Sequence, residues 1–277
     1  MTHYLEAEAE PVRNTGSIRL YGEDAFVGMR RAGALTALCL DELADVVRPG
    51  VTTAAIDAHV FQFALKHGAL PATVNYRGYQ YASCTSINHV VCHGQPNDKP
   101  LREGDIVNID VTLIVDGWHG DSSRMYPVGR IKRAAERLCE ITYRCLEIGI
   151  EQVRPGGHVG DIGAAIQVFA EGERCSVVRD FCGHGVGKLF HDSPNILHYG
   201  RRGEGPEMRP GMIFTIEPMI NLGRPHVKVL SDGWTAVTRD RSLSAQYEHA
   251  VGVTETGCEV FTRSPGGLET PGLPAAA

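Results

Sequence analysis

The chain has 277 residues, 43% of them apolar, which is enough for one large core or two fused halves. A net charge of −6 and the lack of any basic run argue against a nucleic-acid surface. No apolar stretch is long enough to span a bilayer and the first twenty residues hold no hydrophobic signal core, so the sequence reads as cytoplasmic.

Residues 1–21 are polar and read as a flexible N-terminal extension. Residues 22–48 carry helical spacing through Met29, Ala32, Leu35, Cys39 and Val46. A second helix starts with Thr52 or Thr53 as N-cap and runs to Gly68. Residues 72–128 read as short strands and turns, 131–153 and 159–172 as a second helix pair, and 175–262 as strands again. The tail, residues 263–277, is rich in Pro, Gly and Ala and reads as disordered. Eight cysteines are scattered without CxxC spacing, which argues against a disulfide framework and a cysteine zinc site. Most suit the role of small buried apolar residues.

The two helix pairs are written on one template. TALCLDELADVVRPG (36–50) and TYRCLEIGIEQVRPG (142–156) share Thr, Cys, Leu, Val and the RPG turn at matching places. Past the turn, Ile56, Ala58, Phe63 and Ala64 match Ile162, Ala164, Phe169 and Ala170. The strands repeat at nearly the same offset: LREGDIVNID (101–110) answers MRPGMIFTIE (208–217), and Asp110 falls opposite Glu217. A period this long means a duplicated half-domain rather than a solenoid of short repeats. The expectation is one domain over 22–262, with pseudo-repeats of about 22–130 and 131–262 sharing one sheet.

Each half therefore delivers an acid at the end of a related strand. Asp121 follows eleven residues after Asp110, with the hairpin signal Asp116-Gly117 between them. Folding back there brings Asp110 and Asp121 side by side on neighbouring strands. His184 in CGHG, Glu217 in TIEP and Glu248 in QYEH sit in apolar or Gly-flanked contexts. Gly183 and Gly185 around His184 suggest close backbone approach. Four carboxylates and an imidazole cannot be buried together unless cations neutralise them. Oxygen ligands with one nitrogen suit first-row divalent ions such as Mn, Fe, Co or Zn. Four acids exceed the needs of one ion, so two ions with shared carboxylates are expected, a pair able to polarise a carbonyl and activate water.

INHVVCHG (87–94), VNIDV (107–111), DGWHGDSS (116–123), CGHGVGKLFHDSPNILHY (182–199), FTIEP (214–218) and DRSLSAQYEH (240–249) together resemble the type I methionine aminopeptidases over residues 22–262. The resemblance implies an α+β pita-bread fold: pseudo-twofold halves around a curved antiparallel sheet, with helices outside. It implies Asp110, Asp121, His184, Glu217 and Glu248 as metal ligands, with Asp121 and Glu248 bridging, His184 and Glu217 completing one site and Asp110 the other. It also implies that His93 contacts the scissile peptide nitrogen, that His191 donates to the carbonyl oxygen, and that Glu217 shuttles a proton. Tyr76, Tyr79, Cys84, Phe190 and Trp234 match the lining of an apolar pocket for the first side chain. Thr73 departs from the pattern, standing where many bacterial members carry a second Cys, which would make the pocket slightly more polar. His89, His119 and His198 are left as structural or solvated.

The implied activity is removal of the initiator Met from nascent chains, favouring small second residues. The N-terminal Met of a nascent polypeptide is then the partner, a transient ribosome contact is left open, and a monomer is expected. A prolidase or X-Pro aminopeptidase shares the fold and ligand set, but those relatives usually carry an additional N-terminal domain. A non-catalytic binding protein of this fold is the other alternative, though such relatives have lost ligands.

Overall fold

The computed structural model describes residues 2–6 and 14–273. Four helices carry the repeat: α1 (Glu23–Val46), α2 (Thr53–Lys66), α3 (Arg133–Ile150) and α4 (Val159–Gly172). Thr52 caps α2, its hydroxyl accepting from the Ala55 N–H at 3.1 Å, while Thr53 inside the helix hydrogen-bonds the Asn97 carbonyl. His158 and Asp161 close a reciprocal cap on α4. The repeated glycines have repeated conformations. Gly50 and Gly156 in the RPG turns have φ of 90° and 76°, and Gly104 and Gly211 before the strands have 92° and 90°. Each is a left-handed turn that only Gly takes without strain.

A nine-stranded sheet joins the halves, and all of its pairings are antiparallel. Its centre runs from the hairpin Ile106–Val115 and Trp118–Pro127 to Glu248–Val253, Ile213–Ile216 and Gly183–Gly185. Asp116 (φ 48°) and Gly117 (φ 80°) make the two-residue turn of that hairpin, in the doubly left-handed form that matches strand twist. Alternation sorts the two faces. Val107, Ile109, Val111 and Leu113 pack against α1 and α2 in one core, whereas Asn108, Asp110 and Thr112 face the other way. A second core packs α3 and α4 on Phe214, Ile216, Val251 and Val253. The α+β reading with helices outside one shared sheet matches this arrangement. Among the described residues no helix is long and apolar enough to cross a membrane.

Both ends of the chain differ from their expectation. Tyr4–Glu6 pairs in parallel with Ile18–Leu20, and the Tyr4 hydroxyl donates to the Glu207 carbonyl at 2.6 Å. The expected flexible arm is thus tied down by strand pairing at Tyr4–Glu6 and Ile18–Leu20; residues 7–13 lie outside the described residues. The supposedly disordered tail docks as far as residue 273. Asp41, on the buried face of α1, ion-pairs with Arg124 and accepts from the Ser264 hydroxyl and the Gly266 N–H. Glu269 lies 3.3 Å from His249. A buried acid and a buried arginine need partners, and the tail supplies them, which outweighs its composition. Residues 274–277 lie outside the described residues.

Candidate functional site

The inward face of the sheet sets out the acids by register. Asp110 pairs with Ser123, and Ser123 pairs with Glu248 on the next strand. Asp121 shares the face of Ser123, two residues before it, and pairs with Thr112 rather than Asp110. The two aspartates are therefore diagonal, offset by two residues, rather than side by side as expected. Ile216 pairs with His249, so Glu217 follows at the strand end beside Glu248. His184 reaches the same face from Gly183–Gly185. A Cβ on Gly183 would lie 2.3 Å from the Thr215 carbonyl and one on Gly185 2.1 Å from that of Ser193, so both glycines permit the close approach expected of them.

One oxygen or nitrogen from each of Asp121, His184 and Glu248 lies within 4.8 Å of the others. His184 Nε2 is 3.5 Å from Asp121 Oδ2 and 3.7 Å from Glu217 Oε1. Asp110 and Glu217 line the same cavity, of about 490 Å³, with His93, His191, Tyr76, Tyr79, Cys84, Phe190 and Trp234. All twelve candidate residues from the sequence are thus on one cavity. His191 is wedged between rings: Tyr76 stacks on it at 5.1 Å, His184 lies at 4.1 Å and Phe190 at 4.2 Å. His93 meets Phe181 and Trp234 edge-on. Thr73 lines the cavity too, but its hydroxyl donates to the Tyr81 carbonyl at 2.7 Å, so its polarity is turned away.

Sequence reasoning passes over a layer of side chains that hold these acids. Thr112 donates to Asp121 at 2.6 Å, Thr215 to Glu217 at 2.9 Å, and Gln246 to Glu217 at 3.2 Å. Thr112 and Asp121 share a cross-strand pair; Thr215 and Gln246 stand two residues before Glu217 and Glu248, on the same faces. That spacing is the signal by which they could be found. His198, left as structural, is fully buried and its Nε2 accepts the Glu217 N–H at 3.0 Å. Cys92, Phe181, Cys182 and Met219 also line the cavity; Cys92 and Cys182 lie inside quoted motifs, whereas no motif marks Phe181 or Met219.

The electrostatics of this cluster are unfavourable without a cation. Burial raises the carboxyl pKa values of Asp110, Glu217 and Glu248 well above normal, and repulsion from Asp121 adds to each. Asp121 is raised by burial as well, opposed by the Thr112 hydrogen bond. Burial lowers His184 to about 4, His198 to about 3 and His191 to about 2. Among the described residues the lining has one lysine or arginine, Arg77, and it is exposed. A donor set of four acids and a neutral imidazole fits divalent cations by its own chemistry. A cation there would neutralise the acids, polarise a carbonyl and activate water.

A pH dependence follows for the metal-free protein. Each acid has a folded-state pKa above its unfolded value of 3.8 or 4.5, so the folded state binds more protons and stability falls as pH climbs through the raised values. The neutral histidines act oppositely. Their contribution is full above 6.5 and is lost as pH falls toward about 4. Above pH 6.5 these histidines no longer change, whereas the acids still do. Chelated protein is therefore expected to melt at lower temperature at pH 8.5 than at pH 6.5, and a divalent ion should remove the difference. Equal melting temperatures under chelation would show that these acids carry no such cost.

The geometry has known relatives. The description Metallopeptidase family M24 matches residues 27–255. The methionine aminopeptidase of Rickettsia prowazekii is 54% identical over 92% of this chain and 99% of its own length. That of Escherichia coli K12 is 50% identical over 84% of this chain and 89% of its own. The crystal structure of the Rickettsia prowazekii enzyme superposes with a TM-score of 0.88, covering 89% of this chain and all of that one. Prolidase from Pyrococcus furiosus shares the fold at a TM-score of 0.71, with 19% identity and coverage of 88% of this chain and 65% of that one.

Proposed function

Since the chain belongs to metallopeptidase family M24, we propose that it is a methionine aminopeptidase that hydrolyses the first peptide bond of nascent chains, releasing the initiator Met. The observation that carries this reading is the shared cavity. Four carboxylates, an imidazole, aromatic rings and Cys84 all line it.

Asp110, Asp121, His184, Glu217 and Glu248 would hold two divalent ions, drawn from Co, Mn, Fe or Zn. When bound, such ions polarise the scissile carbonyl and lower the pKa of water. The residues of the chain do the rest. Tyr76, Tyr79, Cys84, Phe190 and Trp234 take the unbranched Met side chain; a thioether packs well against aromatic faces. His93 contacts the peptide nitrogen. His191, kept neutral by the rings and histidines crowded against it, donates its ring N–H to the carbonyl oxygen as charge develops there. Glu217 takes a proton from the attacking water and gives it to the leaving amine. The hydrogen bonds from Thr215, from Gln246 and to His198 support that role by fixing its carboxylate and backbone. Small second residues are preferred because a bulky one would crowd the acids. The substrate is met in the cytoplasm as the chain emerges from the ribosome, and the enzyme works as a monomer.

The test is peptide cleavage by chelated protein, with and without added Mn, Co or Fe, on Met-Ala-Ser and Ala-Pro-Ala in parallel. Metal-dependent release of Met from the first peptide alone is the expected result. Cleavage of the Xaa-Pro bond alone would move the activity to the prolidase type, and cleavage of neither would leave a binding protein.

A further inference from the structure

The segment before α1 reaches the wall of the cavity. Arg19 lies on Ile18–Leu20, and its Nε donates to Asp192 Oδ2 at 2.8 Å; the side chains are 7% and 4% exposed. Asp192 lines the cavity and immediately follows His191. Its backbone pairs with Gly185, the neighbour of His184. Two residues past Arg19, Tyr21 is tied to Gly211 through its N–H at 2.8 Å, and its hydroxyl meets the Lys188 backbone. A Cβ on Gly187 would lie 2.6 Å from that hydroxyl. Arg19 and Tyr21 therefore brace both ends of the segment 187–192, which delivers His191.

That bracing matters because His191 has little else to orient it. Among the described residues no hydrogen bond fixes its ring; its neighbours are the rings of Tyr76, His184 and Phe190. Ring contacts constrain a plane, but they do not set where the ring nitrogens point. The backbone at 190–192 must do so, and the buried Arg19–Asp192 pair anchors it. Buried ion pairs add little net stability, so one retained beside a reacting group is better explained by the geometry it enforces.

We propose that Arg19 is a positioning residue for His191, acting through Asp192; this rests on the peptidase reading above. The N-terminal segment is then a working part of the active site. Placement errors of about 1 Å cost up to 10²-fold in rate, so a loosened segment should slow turnover without weakening substrate binding much.

The experiment is a mutant cycle on metal-loaded, full-length protein with Met-Ala-Ser, comparing the parent, Arg19→Gln, His191→Ala and the double variant. Arg19→Gln is expected to lower kcat by about tenfold with KM within about twofold, and Arg19→Lys to recover part of the loss. With His191→Ala already present, Arg19→Gln should cost nothing further. An active parent with unchanged kcat in Arg19→Gln, or the same loss in both backgrounds, would overturn the proposal alone. A parent inert on Met-Ala-Ser would overturn the peptidase reading, and this proposal with it. If Arg19→Gln does not fold, as judged by circular dichroism, the Arg19→Lys cycle decides the matter by the same additivity criterion.

Discussion

Glu248→Gln is expected to abolish turnover of Met-Ala-Ser, by roughly 10³-fold or more, while making the metal-free protein harder to melt. Both effects have one cause. Glu248 is 2% exposed, lies in register with Ser123, and shares the 4.8 Å group with Asp121 and His184. Its ionised form is disfavoured by burial and by Asp121, Glu217 and Asp110. An amide of the same shape removes one charge from that group and offers a cation a far poorer ligand. Charge stabilisation by bound metal is worth several kcal/mol, and each 1.36 kcal/mol is tenfold in rate. The gain in the metal-free state follows from the reverse argument, since one fewer acid must be kept buried at pH 8. Relief of about 1 kcal/mol would raise Tm by about 2–4 °C in a chain of this size. Metal content by elemental analysis and melting under chelation check the two halves. Full metal content in the variant would remove Glu248 from the ligand set. A lower Tm under chelation would show that Glu248 contributes more through its contacts than it costs through its charge.

How much of this was readable depends on which residues speak for themselves. Asp110 and Asp121 were legible because strand alternation and the Asp116-Gly117 turn are local signals, and counting back from a two-residue turn sets Asp110 against Ser123, so the diagonal offset was within reach as well. Their exact register depends on hydrogen-bond pairing along ten residues of hairpin. Glu217 and Glu248 stood out as acids in apolar strands, and the glycines around His184 announced a close approach. The supporting layer obeys the same period of two and could have been named, but a Thr or Gln in a strand looks ordinary until the acid beside it is known to be buried. The chain ends were not legible at all. Their order comes from distant partners: Glu207 for Tyr4, Asp192 for Arg19, and Asp41 for Ser264 and Gly266. The overlooked clue was Asp41, an acid on the apolar face of α1 that required something to pair with it. The polarity expected from Thr73 failed for a related reason, because its hydroxyl bonds to the Tyr81 carbonyl.

His191→Ala is expected to keep its metal and lose about 10²–10³-fold in kcat, the usual cost of one lost oxyanion donor. The ring is not one of the five proposed ligands, Asp110, Asp121, His184, Glu217 and Glu248, so its removal takes none of them away. Desolvation under the neighbouring rings, with His184 and His93 adding to it, holds its pKa below the usual imidazole value, so the imidazole is neutral across the working range. A neutral ring donates through one N–H and gains most from the bond when charge appears on the carbonyl oxygen. KM should therefore change little. The same neutrality predicts that the kcat profile between pH 6 and 8 carries no ionisation that disappears in His191→Ala. His191→Gln, with an amide N–H near the same place, should recover part of the rate. Unchanged turnover in His191→Ala would take the residue out of the mechanism. A matching loss of bound metal would instead make it a support for His184, whose ring it touches at 4.1 Å. The two outcomes separate a group that acts on the substrate from one that props up a ligand.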